Sequence, residues 1–258
     1  MTRDFTFEMY EKLLQAGLEA GYHHLTVREY LSRDNLPERF IIHRHDVDRK
    51  PENSLAMARL EARYGISSTY YFRTIEKTFK PKIIREIESL GHEIGYHYED
   101  LDRASGDVDA AHESFSRELE KVRSHVTVDT VCMHGNPLTS YDNRDMWTRT
   151  VPFFRQYDLD GEAYLSMSFE TVSYFSDTGR TWKDGLLKIK DHAIGIDGKS
   201  RQVRSTSELT DLIQSRSIPR YCILTHPNRW AKTRSELVVE TTKDLATNIA
   251  KIGIQTFK

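Results

Sequence analysis

The sequence predicts an α/β fold built on a parallel sheet, and three observations support this. Strand-like and helix-like segments alternate along most of the chain, as they do where helical crossovers join parallel strands. The length of 258 residues suits one domain of barrel size. No internal repeat, low-complexity tract or Pro/Gly/Ser-rich linker marks a boundary, so we expect a single domain over residues 1–258.

The first half of the chain shows the alternation most clearly. Segments rich in β-branched and aromatic residues predict strands at 39–46, 67–73, 92–97 and 127–134. The stretches between them predict helices at 51–65, 81–91 and about 107–124. Pro51 and Pro81 suit first helical turns, and Gly65 and Gly91 suit the residues that follow helix ends.

The second half is less regular. It predicts strands at 169–175 and, among loops, at 186–194. A helix at 207–216, a buried strand at 221–226 and a closing helix at 231–251 follow. This periodicity leaves open whether the sheet closes into a barrel.

Composition and charge exclude several classes of protein. The residues AVILMFWYC make up 38% of the chain, enough for a core. A formal charge of -2 gives no overall field that would recruit nucleic acid or an acidic membrane. There is no apolar stretch of about 20 residues for a membrane span, and no apolar secretory signal. We therefore expect a cytoplasmic protein in which Cys132 and Cys222 are buried thiols.

Polar residues recur where the predicted strands end. In α/β barrels the carboxyl ends of the strands carry the active site. Several groups able to bind a metal or a proton therefore meet at one rim. These strand-end residues are Asp46, Asp48, Arg73, His97, His134 and His226.

The segment HRHDVD at residues 43–48 places Asp46 and Asp48 two positions apart. In a pleated strand both side chains point to the same side, whereas His43 and His45 take the opposite side, where packing is the expected role. One carboxylate with imidazoles suits Zn²⁺ or another divalent ion. A further carboxylate and histidine would supply a general base and a general acid. An Asp-rich turn that caps the next helix is the alternative.

HDVD, followed by GHEIGYH at residues 91–97 and ILTH at residues 223–226, resembles the motifs of the polysaccharide deacetylase family over about residues 39–230. The resemblance implies a single distorted (β/α) barrel with seven strands and the active site at their carboxyl ends. It also implies that Asp46 is the catalytic base, Asp48 and His97 are metal ligands, and His226 is the catalytic acid. The implied cofactor is one divalent ion. Zn²⁺ is expected, although Co²⁺, Ni²⁺ or Fe²⁺ suits the same ligands.

The chain departs from the family pattern at two points. Leu101 stands where the family has a second metal-binding histidine, and CMHGNP replaces the usual Arg-x-Pro of the third motif. We expect His134 to be the third ligand, because it ends the next predicted strand. Glu99 is the first alternative and His92 the second.

Further residues are candidates for contacts with a substrate. Arg73 suits either an anionic substrate or the orientation of Asp46, although a surface salt bridge is an equal alternative. Aromatic and charged residues at 173–182 suit a sugar ring with an acidic group, but an ordinary turn with packed aromatics is also consistent with them. The predicted substrate contacts are Arg73, Asn136, Tyr174, Asp177, Arg180 and Trp182.

Three functions remain in competition. The first is a metal-dependent hydrolase that removes an acyl group, acetyl above all, from an amino sugar or its nucleotide- or lipid-linked form during assembly of a bacterial surface polysaccharide such as O-antigen. The second keeps the site but acts on a small amide, imide or formamide. The third is a sugar-binding barrel without catalysis, which Leu101 suggests. No nucleic-acid partner is expected, and the sequence leaves the oligomeric state open.

Overall fold

The computed structural model describes residues 4–147, 154–185, 188, 190–191 and 201–256. Its strands form one all-parallel sheet in the order β6-β5-β4-β3-β2-β8-β7, and β1 also pairs with β2. Within the described residues no pairing joins β6 to β7, so the curled sheet stays open there. The predicted distorted (β/α) barrel, with seven strands along its path, is confirmed. The strands are β1 (His23–Leu25), β2 (Phe40–Val47), β3 (Thr69–Phe72), β4 (Glu93–Tyr98), β5 (Thr130–Met133), β6 (Gly161–Glu162), β7 (Ser173–Ser176) and β8 (Arg220–Thr225).

Helices join most of these strands. Several begin as their sequences predict: Thr26 and Glu29 form a reciprocal capping box, and Pro51 and Pro81 occupy first turns. The helices are α1 (Phe7–Glu19), α2 (Val27–Ser32), α3 (Pro51–Arg63), α4 (Pro81–Ser89), α5 (Asp100–Arg103), α6 (Val108–Arg123), α7 (Thr206–Gln214) and α8 (Arg234–Thr256).

Strand β2 is the centre of the sheet. It pairs with β8 along most of its length, while β1 occupies its other edge at Phe40–Ile42 and β3 takes over that edge from Arg44 to Val47. Every residue of β2 is buried. Strand β2 is therefore covered on both faces, and its carboxyl end lies in the middle of the rim where the predicted site residues gather.

Two apolar clusters fill the fold. One contains Tyr71, Tyr96 and Trp147, and the other packs Leu13 and Trp230 with residues of α1, α7 and β8. Cys132 and Cys222 are buried thiols, as predicted.

Most of the expected elements are present with shifts of a few residues, and the differences lie mainly before the first predicted strand and in the second half of the chain. α1, β1 and α2 precede the first predicted strand, and the two-residue β6 is too short to leave a strand pattern. The expected strand at 186–194 falls mostly outside the described residues. Of its described members, Lys188, Lys190 and Asp191 lie in no strand. In the described part of the chain, no helix has the length and apolar character needed to cross a membrane.

Candidate active site

A cavity of about 580 Å³ opens at the carboxyl ends of the strands. Residues from five strand ends line it, as expected for a parallel α/β fold. Most of the residues predicted from the sequence border this one cavity. They are Asp46, Asp48, Arg73, His97, His134, Asn136 and His226.

Asp46 is fixed by an arginine of its own strand. Arg44, two residues earlier and therefore on the same face, donates from Nε to Asp46 Oδ1 (3.1 Å) and from Nη2 to Asp46 Oδ2 (2.9 Å). Arg44 is fully buried, donates to the Tyr164 hydroxyl (2.7 Å) and lies over that ring, 4.2 Å from its centroid. The expectation that Arg73 orients Asp46 is wrong, because Arg73 Nη2 donates to Glu99 instead (2.6 Å).

Asp48 lies between two imidazoles. Its Oδ1 is 3.5 Å from His97 Nε2 and 3.5 Å from His134 Nε2. His97 Nδ1 lies 2.9 Å from the carbonyl oxygen of Cys132, to which it donates when protonated. That contact places the proton of a neutral ring on Nδ1 and leaves the Nε2 lone pair facing Asp48.

The surroundings of Asp48 favour its ionised form, which suits a cation. Burial raises the pKa of Asp48, but His134, His97 and His226 outweigh it and hold that pKa well below its usual range. Asp48 Oδ1 is buried, and none of the described residues donates a hydrogen bond to it in acceptable geometry. A buried, ionised oxygen without a donor is costly, and a metal ion would satisfy it. One carboxylate and two imidazoles are ligands that Zn²⁺ accepts, so these residues fit the predicted ion.

A second set of donor atoms also lies close together. Ligand atoms of Asp46, His97 and Cys132 fall within 4.8 Å of one another. However, both Asp46 oxygens already accept from Arg44, and burial raises the pKa of the Cys132 thiol well above its usual value. Because a thiol must lose its proton to bind a metal well, we favour Asp48, His97 and His134.

The alternatives for the third ligand occupy other positions. Glu99 accepts from Arg73 and Arg103 and lies behind His134, 3.1 Å from Nδ1. His92 is buried beneath α3, where Nε2 contacts the Ala58 carbonyl (2.9 Å) and Nδ1 accepts from Ser68 N (3.1 Å). Leu101 is a core residue, 3% exposed. His134 therefore stays the predicted third ligand.

His226 is held against Asp177. Its Nδ1 lies 2.6 Å from Asp177 Oδ1, while Arg229 and the Trp230 indole also donate to the same carboxylate (3.0 and 2.8 Å). His226 Nδ1 is also 2.7 Å from Arg229 Nη1. Because a carboxylate only accepts, we assign the Nδ1 proton to the Asp177 contact. His226 Nε2 then faces the cavity, 3.8 Å from Asp48 Oδ2.

The segment predicted to contact a sugar is largely internal. Asp177 is fully buried behind His226, and burial, which raises its pKa, is outweighed by His226 and Arg229, which lower it. Tyr174 is 2% exposed in β7, and Trp182 is 1% exposed and donates to Thr206. Arg180 binds Asp244 (2.8 Å). None of these four residues borders the cavity, so a direct substrate contact is not supported for them.

Several residues that the sequence analysis missed do border the cavity. Arg44 is also missed: it does not border the cavity but lies behind Asp46, and period-two alternation from Asp46 would have indicated it. Among the lining residues, Arg49 directly follows Asp48, whereas the others come from segments distant from the motifs and left no local signal. These lining residues are Arg49, Tyr164, Lys190, Asp191, Asp244 and Asn248.

No protein-family model and no curated protein sequence matches this chain. Solved structures that match include a CE4 family pseudoenzyme from Bacillus anthracis, with 12% identity and a TM-score of 0.41 over 86% of this chain and 63% of that chain. The Xyl-CE4 domain of a multidomain xylanase from the hindgut metagenome of Trinervitermes trinervoides matches with 14% identity and a TM-score of 0.38, covering 85% of each chain. Peptidoglycan deacetylase PdaC from Bacillus subtilis matches with 15% identity and a TM-score of 0.36 over 82% of this chain and 96% of that chain.

This chain spans less than two thirds of the length of the Bacillus anthracis chains that it matches. All of these identities are below 25% and all of the TM-scores are below 0.5. We therefore base the functional proposal on the residues of the site.

Proposed function

We propose that this chain is a metal-dependent hydrolase of a non-peptide amide bond, and that it removes an acyl group, acetyl above all, from an amino sugar. One observation carries the proposal. A single cavity brings together a carboxylate held by an arginine, a carboxylate oxygen without a donor between two imidazoles, and a histidine held by an aspartate. Amide hydrolysis needs a general base, charge stabilisation and a general acid.

Asp48, His97 and His134 are the residues that would hold the ion. When bound there, a divalent ion would supply Lewis acidity toward an amide carbonyl and toward water. His97 and His134 both present Nε2 toward Asp48 Oδ1, at 3.5 Å each. The expected ion is Zn²⁺, and the same donor types also suit Co²⁺, Ni²⁺ and Fe²⁺.

Asp46 is the proposed general base. Its carboxylate borders the cavity, and Arg44 holds both oxygens in one orientation. A fixed carboxylate can accept a proton from water without first reorganising. His97 Nε2 lies 3.7 Å from Asp46 Oδ2, so the base is next to the proposed ion site.

His226 is the proposed general acid. Asp177 accepts from Nδ1 and stabilises the charged imidazole, which leaves the Nε2 proton directed toward the cavity. An amine anion is a poor leaving group, so the nitrogen must receive a proton as the C–N bond breaks. Transfer from His226 Nε2 to that nitrogen would give a free amine and a carboxylate.

The finer proposal concerns the substrate. A cavity of about 580 Å³ lies in the range for small-molecule sites and suits a sugar. We infer that the amino sugar is linked to a nucleotide or lipid, and that the reaction belongs to cytoplasmic assembly of a bacterial surface polysaccharide such as O-antigen. The support for this is the resemblance of the sequence motifs alone.

The test combines metal content with activity. The purified protein is analysed for metals and then assayed for release of amine and acetate from N-acetylated amino sugars, free and nucleotide-linked. We expect about one ion per chain, lost in Asp48→Ala and His134→Ala. Activity should be lost in these variants and in His226→Gln. His125→Ala serves as the matched control, because that histidine contacts Arg85 and Phe79, far from the cavity lining.

Other outcomes would redirect the proposal. Turnover of small amides, imides or formamides but of no sugar would support the alternative substrate with the same chemistry. Sugar binding without any turnover, in protein that has been loaded with Zn²⁺ or Co²⁺, would favour a non-catalytic barrel.

A further inference from the structure

Glu99 follows His97 by two residues and lies between two arginines and a histidine. Its Oε2 accepts from Arg73 Nη2 (2.6 Å) and its Oε1 accepts from Arg103 Nη2 (3.0 Å). The same Oε2 lies 3.1 Å from His134 Nδ1, an ion pair by distance but not a well-aligned hydrogen bond. Glu99 is 7% exposed.

These contacts argue against Glu99 as a metal ligand. Each of its oxygens already accepts from a guanidinium, and it is absent from the cavity lining. Asp48 differs, because its Oδ1 is buried without a donor between two imidazoles.

The backbone of His134 is fixed on both sides. His134 N donates to the Tyr98 carbonyl (2.7 Å), and Asn143 Nδ2 donates to the His134 carbonyl (2.9 Å). Two features of the side chain then remain to be fixed: the rotation of the ring, and which of its nitrogens carries the proton. Nδ1 faces Glu99 and Nε2 faces Asp48, so a proton on Nδ1 leaves the Nε2 lone pair directed at the proposed ion site.

We propose that Glu99 is a positioning residue for His134: clamped by Arg73 and Arg103, it holds the His134 ring with its proton on Nδ1 and its Nε2 free to bind the ion. This inference rests on the metal site of the proposed function. A carboxylate behind a metal-binding histidine fixes the ring and raises its basicity, and its loss typically weakens metal affinity about 10–100-fold.

The test measures Zn²⁺ affinity by competition with a chelator, and compares the absorption spectra of the Co²⁺ forms. Glu99→Ala should bind Zn²⁺ about 10–100-fold more weakly than the unsubstituted protein. Glu99→Gln should lie between them, because its amide oxygen can still face Nδ1 but carries no charge. Glu118→Gln is the matched control. Among the described residues Glu118 pairs with Arg103 (3.5 Å) and Lys121 (3.6 Å) and not with His134, so the Zn²⁺ affinity of this variant should not change.

A double-mutant cycle separates positioning from general stability. Because Glu99 acts through His134, Glu99→Gln should add no further loss to the weak Zn²⁺ affinity that Asp48 and His97 retain in a His134→Ala background, measured by direct titration with Zn²⁺. An equal loss in both backgrounds would overturn the inference, as would unchanged affinity in Glu99→Ala. Metal retained in His134→Ala but lost in Glu99→Ala would instead make Glu99 the ligand. If the unsubstituted protein bound no metal, the proposed function would fail together with this inference.

Discussion

The two faces of β2 carry similar polar and charged residue types, but they differ in whether those residues reach the cavity. On the inner face Arg44 and Asp46 form a pair, and Asp46 borders the cavity. On the outer face His43 and His45 are buried. His45 Nε2 lies 2.8 Å from Glu61 Oε1, and its Nδ1 lies 2.6 Å from the Thr225 hydroxyl.

On the outer face the polar atoms of Glu61 and His45 are satisfied, whereas His43 Nδ1 and His24 Nε2 are buried without a hydrogen-bond partner among the described residues. Glu61 is fully buried and accepts from the hydroxyls of Tyr10 and Tyr70 as well as contacting His45. Burial raises the pKa of Glu61, but His45 and its neighbours outweigh this and lower it strongly. Both Glu61 oxygens therefore have partners. The inner face keeps Asp48 Oδ1 without a donor at the rim of an open cavity. Access to the cavity, and an ionised carboxylate oxygen that lacks a donor there, separate the candidate site from the structural cluster.

The inner face should fail in catalysis first. Asp46→Asn removes the proposed base, and we expect kcat to fall about 100–10,000-fold. Arg44 also loses its ionised partner, so circular dichroism must establish that the variant is folded at the assay temperature. The assay uses the substrate found in the activity screen. If the kcat of Asp46→Asn were within tenfold of the kcat of the unsubstituted protein, Asp46 would not be the base.

The outer face should fail in stability instead. Glu61→Gln leaves His45 and two tyrosines around a neutral amide. Breaking a fully buried charged cluster by changing one partner typically costs about 3–5 kcal/mol. Urea unfolding measures this loss, while metal content and kcat per folded molecule should stay unchanged.

Glu86→Gln is the control for that experiment. Glu86 pairs with Arg59 on the surface, with side chains 42% and 59% exposed, and such pairs contribute about 0–1 kcal/mol. If Glu61→Gln also cost less than about 1 kcal/mol, or if it abolished metal binding, the separation of the two faces would not hold.

Local periodicity in the sequence predicted which face of a strand each residue lies on and where the strands end. Alternation along HRHDVD placed Asp46 on one face and His43 and His45 on the other, and the strand ends indicated the rim where His97 and His226 arrive. These successes follow from the two-residue period of a strand and from the common direction of parallel strands.

The rest depended on contacts between distant segments. Asp177 reads as a polar loop residue, yet it lies behind His226, which is 49 positions away. Trp182 has the composition of a sugar contact, but it packs in the core beside Trp230. The sequence allows Glu99 as an alternative ligand, but in the structure Arg73 and Arg103 donate to its two oxygens. No local pattern encodes which partner a buried polar group will meet.

The outer face also makes a prediction about pH. His43 Nε2 lies 3.1 Å from His24 Nδ1, and the two rings stack with centroids 5.2 Å apart. Burial lowers the pKa of His24 from 6.5 to about 4, although Glu61 opposes the shift. Above the unfolded pKa neither state carries this proton. Between the two pKa values the unfolded chain binds it more readily, so stability falls as the pH is lowered through this range.

We therefore expect His24 to make the protein about 2–3 kcal/mol less stable at about pH 4.5 than at pH 7. His24→Gln removes the contribution of His24 to this loss of stability. Any contribution from His43 remains, because the pKa of His43 is also lowered, mainly by burial and to a lesser extent by His24. Urea unfolding of both proteins is compared at the two pH values after chelation, because acid would also release an ion held at the proposed metal site. Between pH 7 and about pH 4.5, the unsubstituted protein should lose about 2–3 kcal/mol more stability than His24→Gln. Equal losses would mean that His24 binds a proton in the folded protein as readily as in the unfolded chain, and that the outer face is less sealed from protons than its burial indicates.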